Sequence, residues 1–394
     1  MLLFGKTEKT AALNLLKDGK IGNELLFDMI CVAEKYCLKG NLCAHYGAYL
    51  LVSEENAYAL ACEKKGRSDA TIDKLALGDA KALLGIFTKE SDYDNYIPAV
   101  ADAKNEDARA GRIIMQLSDK LVKCKDEREL LAVLRDFYRR NGSGIYALYR
   151  GFIVTEEGGV APVVQYSDAS FDGIYGYERQ KTLLCANTEA FIKGNTANNV
   201  LLYGDSGTGK STAVKALLTK YEKKGLRIIG VQKHQFAFLP TIINELSLRR
   251  YSFILYLDDL SFENFETEYK YLKAIIEGGV AERPSNILIY ATSNRRHLVK
   301  ESFDDREGGG DIHREETTNE KVSLSERFGL QIYYAKPDKQ EYMDMVMFLA
   351  ESEYPEIKQD ELIAGANAWA VKHGGYSGRA AQQYILSLSA KSES

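Results

Sequence analysis

The segment Gly204-Asp205-Ser206-Gly207-Thr208-Gly209-Lys210-Ser211 constrains this chain more than any other feature. It fits G-x-x-x-x-G-K-[ST] at every position, a match that composition alone would produce on the order of once in a hundred chains of this size. Its glycines let backbone N–H groups turn inward around phosphate oxygens. Lys210 adds a compact positive charge for the β and γ phosphates, and Ser211 supplies a hydroxyl to Mg²⁺. The run Asn199 to Tyr203 before the loop reads as a strand, and Thr212 to Lys220 after it reads as a helix. That helix begins at Lys210 and points its positive end at the anion. Gly204 to Thr212 is therefore the expected binding segment for ATP with Mg²⁺.

The acids on a later strand extend the site. Phe253 to Leu257 is apolar and ends in Asp258-Asp259. An apolar strand ending in acids places them at the carboxyl edge of a sheet, where open α/β folds bind ligands. Asp258 is the expected metal carboxylate, and Asp259 the expected base that polarises an attacking water. Glu263 is a second candidate for the base. A further strand, Ile287 to Ala291, ends in Thr292-Ser293-Asn294, and an amide there can orient water against the γ phosphate.

The rest of the 394 residues sets the frame. A chain of this length predicts two or three domains. Net charge is -5, so no global field draws it to DNA or anionic lipid. No apolar run approaches the ~20 residues that span a bilayer, and Met1 to Lys6 is too short for the apolar part of a signal peptide. A cytoplasmic protein with no membrane contact is expected. Cys31, Cys37 and Cys43 lie near His45, but their spacing puts them on different faces of a helix, so small buried thiols are the reading.

Residues 1–150 read as a helical domain, with helices expected at 44–64, 70–87 and 106–138. At Arg150 the pattern changes to a hairpin, Arg150 to Val154 and Val160 to Tyr166. Strands then alternate with helices over 151–335, at 200–203, 227–231, 253–257, 287–291 and 330–334. That alternation predicts a parallel five-stranded sheet covered on both faces. Residues 336–394 read as a small helical lid, with a frayed tail from Leu388.

This order of strands and motifs resembles the AAA+ ATPases. In that family the fourth strand lies between the phosphate-loop strand and the acidic strand, which implies that Asn294 faces the γ phosphate as the sensor 1 residue. Leu324-Ser-Glu-Arg327-Phe-Gly329 stands where the family places its arginine finger, and Gly375-Tyr-Ser-Gly-Arg379 where it places its sensor 2 arginine. An arginine is always charged and forks onto phosphate oxygens. Phe171-Asp-Gly-Ile174-Tyr175-Gly176 resembles the segment that wraps adenine. More narrowly, Asn187-Thr-Glu-Ala-Phe191, Ala197-Asn-Asn-Val-Leu201, Asp258-Asp-Leu-Ser-Phe-Glu263 and Ala291-Thr-Ser-Asn-Arg-Arg-His-Leu298 resemble one bacterial group of predicted AAA+ ATPases of unassigned function. The resemblance covers about residues 142 to 390 and implies ATP hydrolysis, a homo-oligomer formed with ATP, and a protein or nucleic-acid client. Remodelling of a macromolecule is the leading expectation; a nucleotide switch or loader for nucleic-acid machinery is the alternative.

Three features could carry the output. Phe236, Phe238 and Leu239 lie where AAA+ unfoldases carry an aromatic pore loop, although apolar residues of this size also suit a staple to the core. Arg295-Arg296-His297 is a basic cluster. Glu301 to Lys321 is rich in acids and glycine and reads as a mobile loop.

Overall fold

The computed structural model describes residues 7–65, 70–88, 93, 95–99, 105–166, 168–261, 267–277, 284–294, 324–354 and 357–392. Glu263, Arg295-Arg296-His297 and Glu301 to Lys321 lie outside the described residues. The chain divides into two compact units, one formed by 1–153, 160–166 and 248–251, the other by 154–159, 167–247 and 252–394.

The first unit contains α1 (Thr7–Asp18), α2 (Asn23–Tyr36), α3 (Leu42–Ser53), α4 (Ala57–Lys65), α5 (Ala70–Thr88), α6 (Glu106–Leu121), α7 (Glu127–Asn141) and α8 (Ile145–Leu148). Two of the long helices expected from periodicity are each divided, and side-chain caps are the reason. Asn56 accepts the Ala59 N–H at 2.8 Å and starts α4. Asp126 accepts the N–H groups of Arg128 and Glu129 at 2.9 and 2.8 Å and starts α7. Such oxygens satisfy amides that a helix start leaves without partners. Gly111 lets α6 approach α2 closely, since a Cβ there would lie 1.8 Å from the Tyr36 carbonyl oxygen. Arg249 is buried in this unit, donating to Glu63 at 2.9 Å, to the Ser143 carbonyl at 2.6 Å and to Glu55. Cys37, Cys43, Cys62 and Cys124 are buried, while Cys31 is exposed and Cys185 half-buried. Among the described residues no trio of metal-ligating side chains gathers, and no helix is long and apolar enough to cross a membrane.

The strands are β1 (Gly151–Val154), β2 (Val160–Pro162), β3 (Val200–Gly204), β4 (Leu226–Gly230), β5 (Ser252–Leu257), β6 (Ile287–Ser293) and β7 (Leu330–Tyr334). They form one seven-stranded sheet in the order β2-β1-β4-β5-β6-β3-β7. The expected count of five is therefore corrected to seven among the described residues. The hairpin read as a boundary feature joins the sheet, because an edge strand presents free N–H and C=O groups that accept another strand. The five strands β4, β5, β6, β3 and β7 pair in parallel, with Leu255 opposite Ile289 and Leu201 opposite Ala291. β6 lies between β3 and β5, the position expected for the fourth strand of the core.

Burial on both faces explains the near-continuous apolar runs: Val200, Leu201 and Leu202 are wholly buried, as are Phe253, Ile254 and Leu255. Helices α9 (Glu178–Ile192), α10 (Lys210–Tyr221), α11 (Leu239–Ser247) and α12 (Thr267–Glu277) accompany these strands. The Asn187-Thr188 pair ties α9 to β6: Asn187 Nδ2 donates to Tyr290 Oη at 3.0 Å, and Thr188 Oγ1 lies 2.9 Å from the same oxygen. Phe236 and Leu239 are buried and Phe238 is half-buried, its ring under 3 Å from where a Cβ of Gly158 would stand. These side chains pack as a staple.

The C-terminal helices are α13 (Lys339–Glu353), α14 (Gln359–Lys372) and α15 (Gly378–Ser392). Tyr342, Val346, Ala366, Ala370, Ala381 and Ile385 form their shared core. Asp338 and Glu341 cap α13 reciprocally, at 2.8 and 2.9 Å. The tail expected to fray from Leu388 is helical to Ser392.

Candidate functional site

The phosphate loop is shaped by positions that tolerate no side chain. Gly204, Gly207 and Gly209 all have positive φ, at 132°, 76° and 87°. A Cβ on Gly204 would stand 2.1 Å from the Tyr334 carbonyl oxygen, and one on Gly207 would stand 3.2 Å from Arg379 and Ser377. Thr208 closes the loop by donating to the Asp205 carbonyl at 2.8 Å. Asp205 in turn accepts the Lys336 N–H at 3.0 Å through its side chain. Gly209 precedes α10 without any side-chain cap, so the first amides of the helix stay open toward a ligand.

Lys210 lies inside this turn and is only 6% exposed. Its Nζ donates to the carbonyls of Gly204 and Asp205 at 2.9 and 2.6 Å, and to Asn294 Oδ1 at 3.2 Å. Burial pulls its pKa below the ordinary lysine value, against the opposing pull of Asp205, Asp259 and Asp258. A cation held this way is partly desolvated and set for an anion.

The two acids after β5 diverge. Asp258 Oδ1 accepts three hydroxyl donors, from Ser211 at 2.7 Å, Tyr256 at 2.6 Å and Thr292 at 2.6 Å. Burial alone would raise its pKa, but those donors outweigh it and hold the carboxyl below the usual range. Asp259 is exposed, has φ +51°, and accepts from Asn294 Nδ2 at 2.8 Å. Asn294 thus bridges Lys210 and Asp259. A hydroxyl and a carboxylate 2.7 Å apart are hard oxygen donors of the kind Mg²⁺ takes, so the pair Ser211 and Asp258 fits that ion.

A cavity of about 450 Å³ joins these groups. It is lined by Ser206 to Thr212, Asp258, Asp259, Thr292 and Asn294, together with Ile174, Tyr175, Met345, Arg379 and Gln382. Gly204 and Asp205 shape the loop without lining the cavity. Arg379 enters at the start of α15, where its N–H donates to the Gly207 carbonyl at 3.2 Å. Arg327 does not line this cavity; it precedes β7, the edge strand of the sheet. A larger hollow of about 1390 Å³ shares Ile174 and Tyr175 but touches neither the phosphate loop nor the acids, so volume alone does not pick out the site.

Sequence reasoning missed Tyr256 and Thr292. Strand periodicity was the available signal, since each lies two residues before a candidate it shares a face with, Asp258 and Asn294. It also missed Met345, Leu349 and Gln382 in the C-terminal helices, for which no local pattern exists.

A family model described as "Protein of unknown function (DUF815)" matches residues 148–392. The Replication factor C large subunit of Methanococcus vannielii is 37% identical over 59 residues, which is 15% of this chain and 12% of that protein. Among solved structures, the Thermotoga maritima RuvB Holliday junction branch migration motor matches 56% of this chain and 72% of its own, at 17% identity and a TM-score of 0.34. A point mutant of the same protein matches 54% of this chain and 62% of its own, at 20% identity and a TM-score of 0.36.

Proposed function

We propose that this chain, which belongs to the family described as "Protein of unknown function (DUF815)", binds ATP with Mg²⁺ and hydrolyses it as an AAA+ ATPase that remodels a macromolecular client. The observation that carries the reading is the convergence of Lys210, Ser211, Asp258, Asp259 and Asn294 on one cavity.

In this reading the loop from Gly204 to Thr212 wraps the phosphates, and Ile174 and Tyr175 flank the base. Lys210 exchanges its loop carbonyls for the β and γ oxygens. Ser211 and Asp258 would hold Mg²⁺, which would supply positive charge to offset the charge of the phosphates. Asp259, held by Asn294, takes a proton from water as that oxygen bonds to the γ phosphorus. The bond to the bridging oxygen breaks and ADP leaves. Arg379 reaches the phosphates from the lid at 336–394, and Arg327 serves a neighbouring copy in an oligomer formed with ATP.

A switch or loader acting with nucleic-acid machinery is the second reading. Burial of Phe236 and Leu239 favours it, because a loop that grips polypeptide needs exposed aromatics. The short likeness to a replication factor C subunit adds a DNA arm to the test. ATP turnover is measured against protein concentration, alone, with DNA and with unfolded polypeptide. Turnover that rises with concentration and with one client supports the ATPase reading and selects the client. Absence of ATP binding overturns the site.

A further inference from the structure

The turn after β5 has to send two adjacent carboxylates to different partners. β5 ends at Leu257, and Asp259 takes a left-handed conformation that residues with side chains seldom adopt. Such a conformation persists where neighbours over-determine it. Thr292 on β6 supplies that constraint. Its Oγ1 donates to Asp258 Oδ1 at 2.6 Å and accepts the Asp259 N–H at 2.9 Å. Its carbonyl accepts the Leu260 N–H at 2.7 Å. Three consecutive residues of the turn are thus tied to one residue, which is 2% exposed and poorly reached by water. Tyr256 also donates to Asp258, but it has no bond to Asp259.

We propose that Thr292 is a positioning residue of this site, its hydroxyl setting the two carboxylates apart so that Asp258 meets Ser211 while Asp259 meets Asn294. The proposal rests on the ATPase reading above. The γ-methyl only packs; the hydroxyl alone can both donate to one acid and accept from the next. Valine keeps the shape of threonine and loses both bonds. Serine keeps both bonds and loses the methyl. Small displacements of a reacting group cost large factors in rate, so the hydroxyl belongs to turnover more than to nucleotide affinity.

The test uses the full chain with Thr292→Val, Thr292→Ala and Thr292→Ser. Affinity for a fluorescent ATP analogue is measured with Mg²⁺, beside kcat and KM for ATP. The expected result is a kcat lower by about 10- to 100-fold in the Val and Ala variants, with affinity within about threefold of the unsubstituted chain, and recovery of most of the rate in the Ser variant. Unchanged kcat in the Val variant overturns the proposal. So does a Ser variant as slow as the Ala variant, which would assign the effect to the methyl, and so does affinity that falls in step with kcat. If circular dichroism finds the Val variant unfolded, the Ser and Ala pair decides by the same criteria. Unfolding of both Val and Ala makes the hydroxyl a folding element and overturns the positioning role. An unsubstituted chain that binds the analogue but never turns over ATP sinks the ATPase reading instead, and so is distinguishable.

Discussion

Lys210 is a buried cation satisfied by neutral partners, in the place where the proposed function puts the phosphates. It is buried, yet its three acceptors are two loop carbonyls and Asn294, with no direct ion pair among those bonds. Removing it leaves the loop with no side-chain cation, so Lys210→Ala is expected to weaken ATP binding by about 100-fold, the loss of one strong charge-assisted contact. Equilibrium binding of labelled ATP measures this, and unchanged affinity removes the site assignment. Asp259 calls for a different experiment, because its partner Asn294 holds the carboxylate without neutralising it. Asp259→Asn keeps the shape but is a poor base. It should bind ATP with near-normal affinity and turn over at least about 100-fold more slowly. Near-normal turnover would move the role to another group, with Glu263 the first alternative.

At the scale of elements, the loop depends on how closely β3 and β7 approach. Gly204 pairs with Tyr334, and no Cβ fits between them. Gly204→Ala therefore has to push the loop off the end of β7. A destabilisation of about 1–3 kcal/mol in denaturant titration is expected, with ATP affinity reduced at least tenfold. An Ala variant with unchanged stability and binding would mean that the loop relaxes freely. The N-terminal helices show the opposite dependence, on a cap. Asp126 divides what periodicity reads as one helix into α6 and α7. Asp126→Ala should lower stability by about 1 kcal/mol with no change in the denaturant slope. A shift of the midpoint below about a third of that would show that packing, not the cap, sets the boundary.

For the whole molecule, the edge position of β7 matters most. Arg327 precedes that strand and is absent from the cavity holding Lys210 and Asp259. Under the proposed function Arg327 would serve the nucleotide of a neighbouring copy, and fingers supplied by a partner are worth roughly 10³-fold or more in related phosphate chemistry. Arg327→Ala alone should be inactive, as should Lys210→Ala. Mixed together they should regain partial activity, since some interfaces combine an intact pocket with an intact finger. Activity that is independent of concentration and unrestored by mixing would leave Arg327 a structural or cis-acting group.

Local chemistry carried much of this protein's description. The phosphate loop, the acids after β5 and Asn294 stood out because glycine, charge and strand ends announce themselves within a few residues, and the order of strands identified the core; Arg379 stood out only through the resemblance to the AAA+ ATPases. Helix boundaries were less legible, because Asn56 and Asp126 act by single hydrogen bonds inside continuous apolar periodicity. The inclusion of the hairpin strands β1 and β2 in the sheet, the burial of Phe236 and the meeting of Thr292 with Asp258 and Asp259 were decided only by tertiary structure. Those contacts join residues more than thirty positions apart, and no local pattern encodes which edge a hairpin finds or which hydroxyl a turned carboxylate meets.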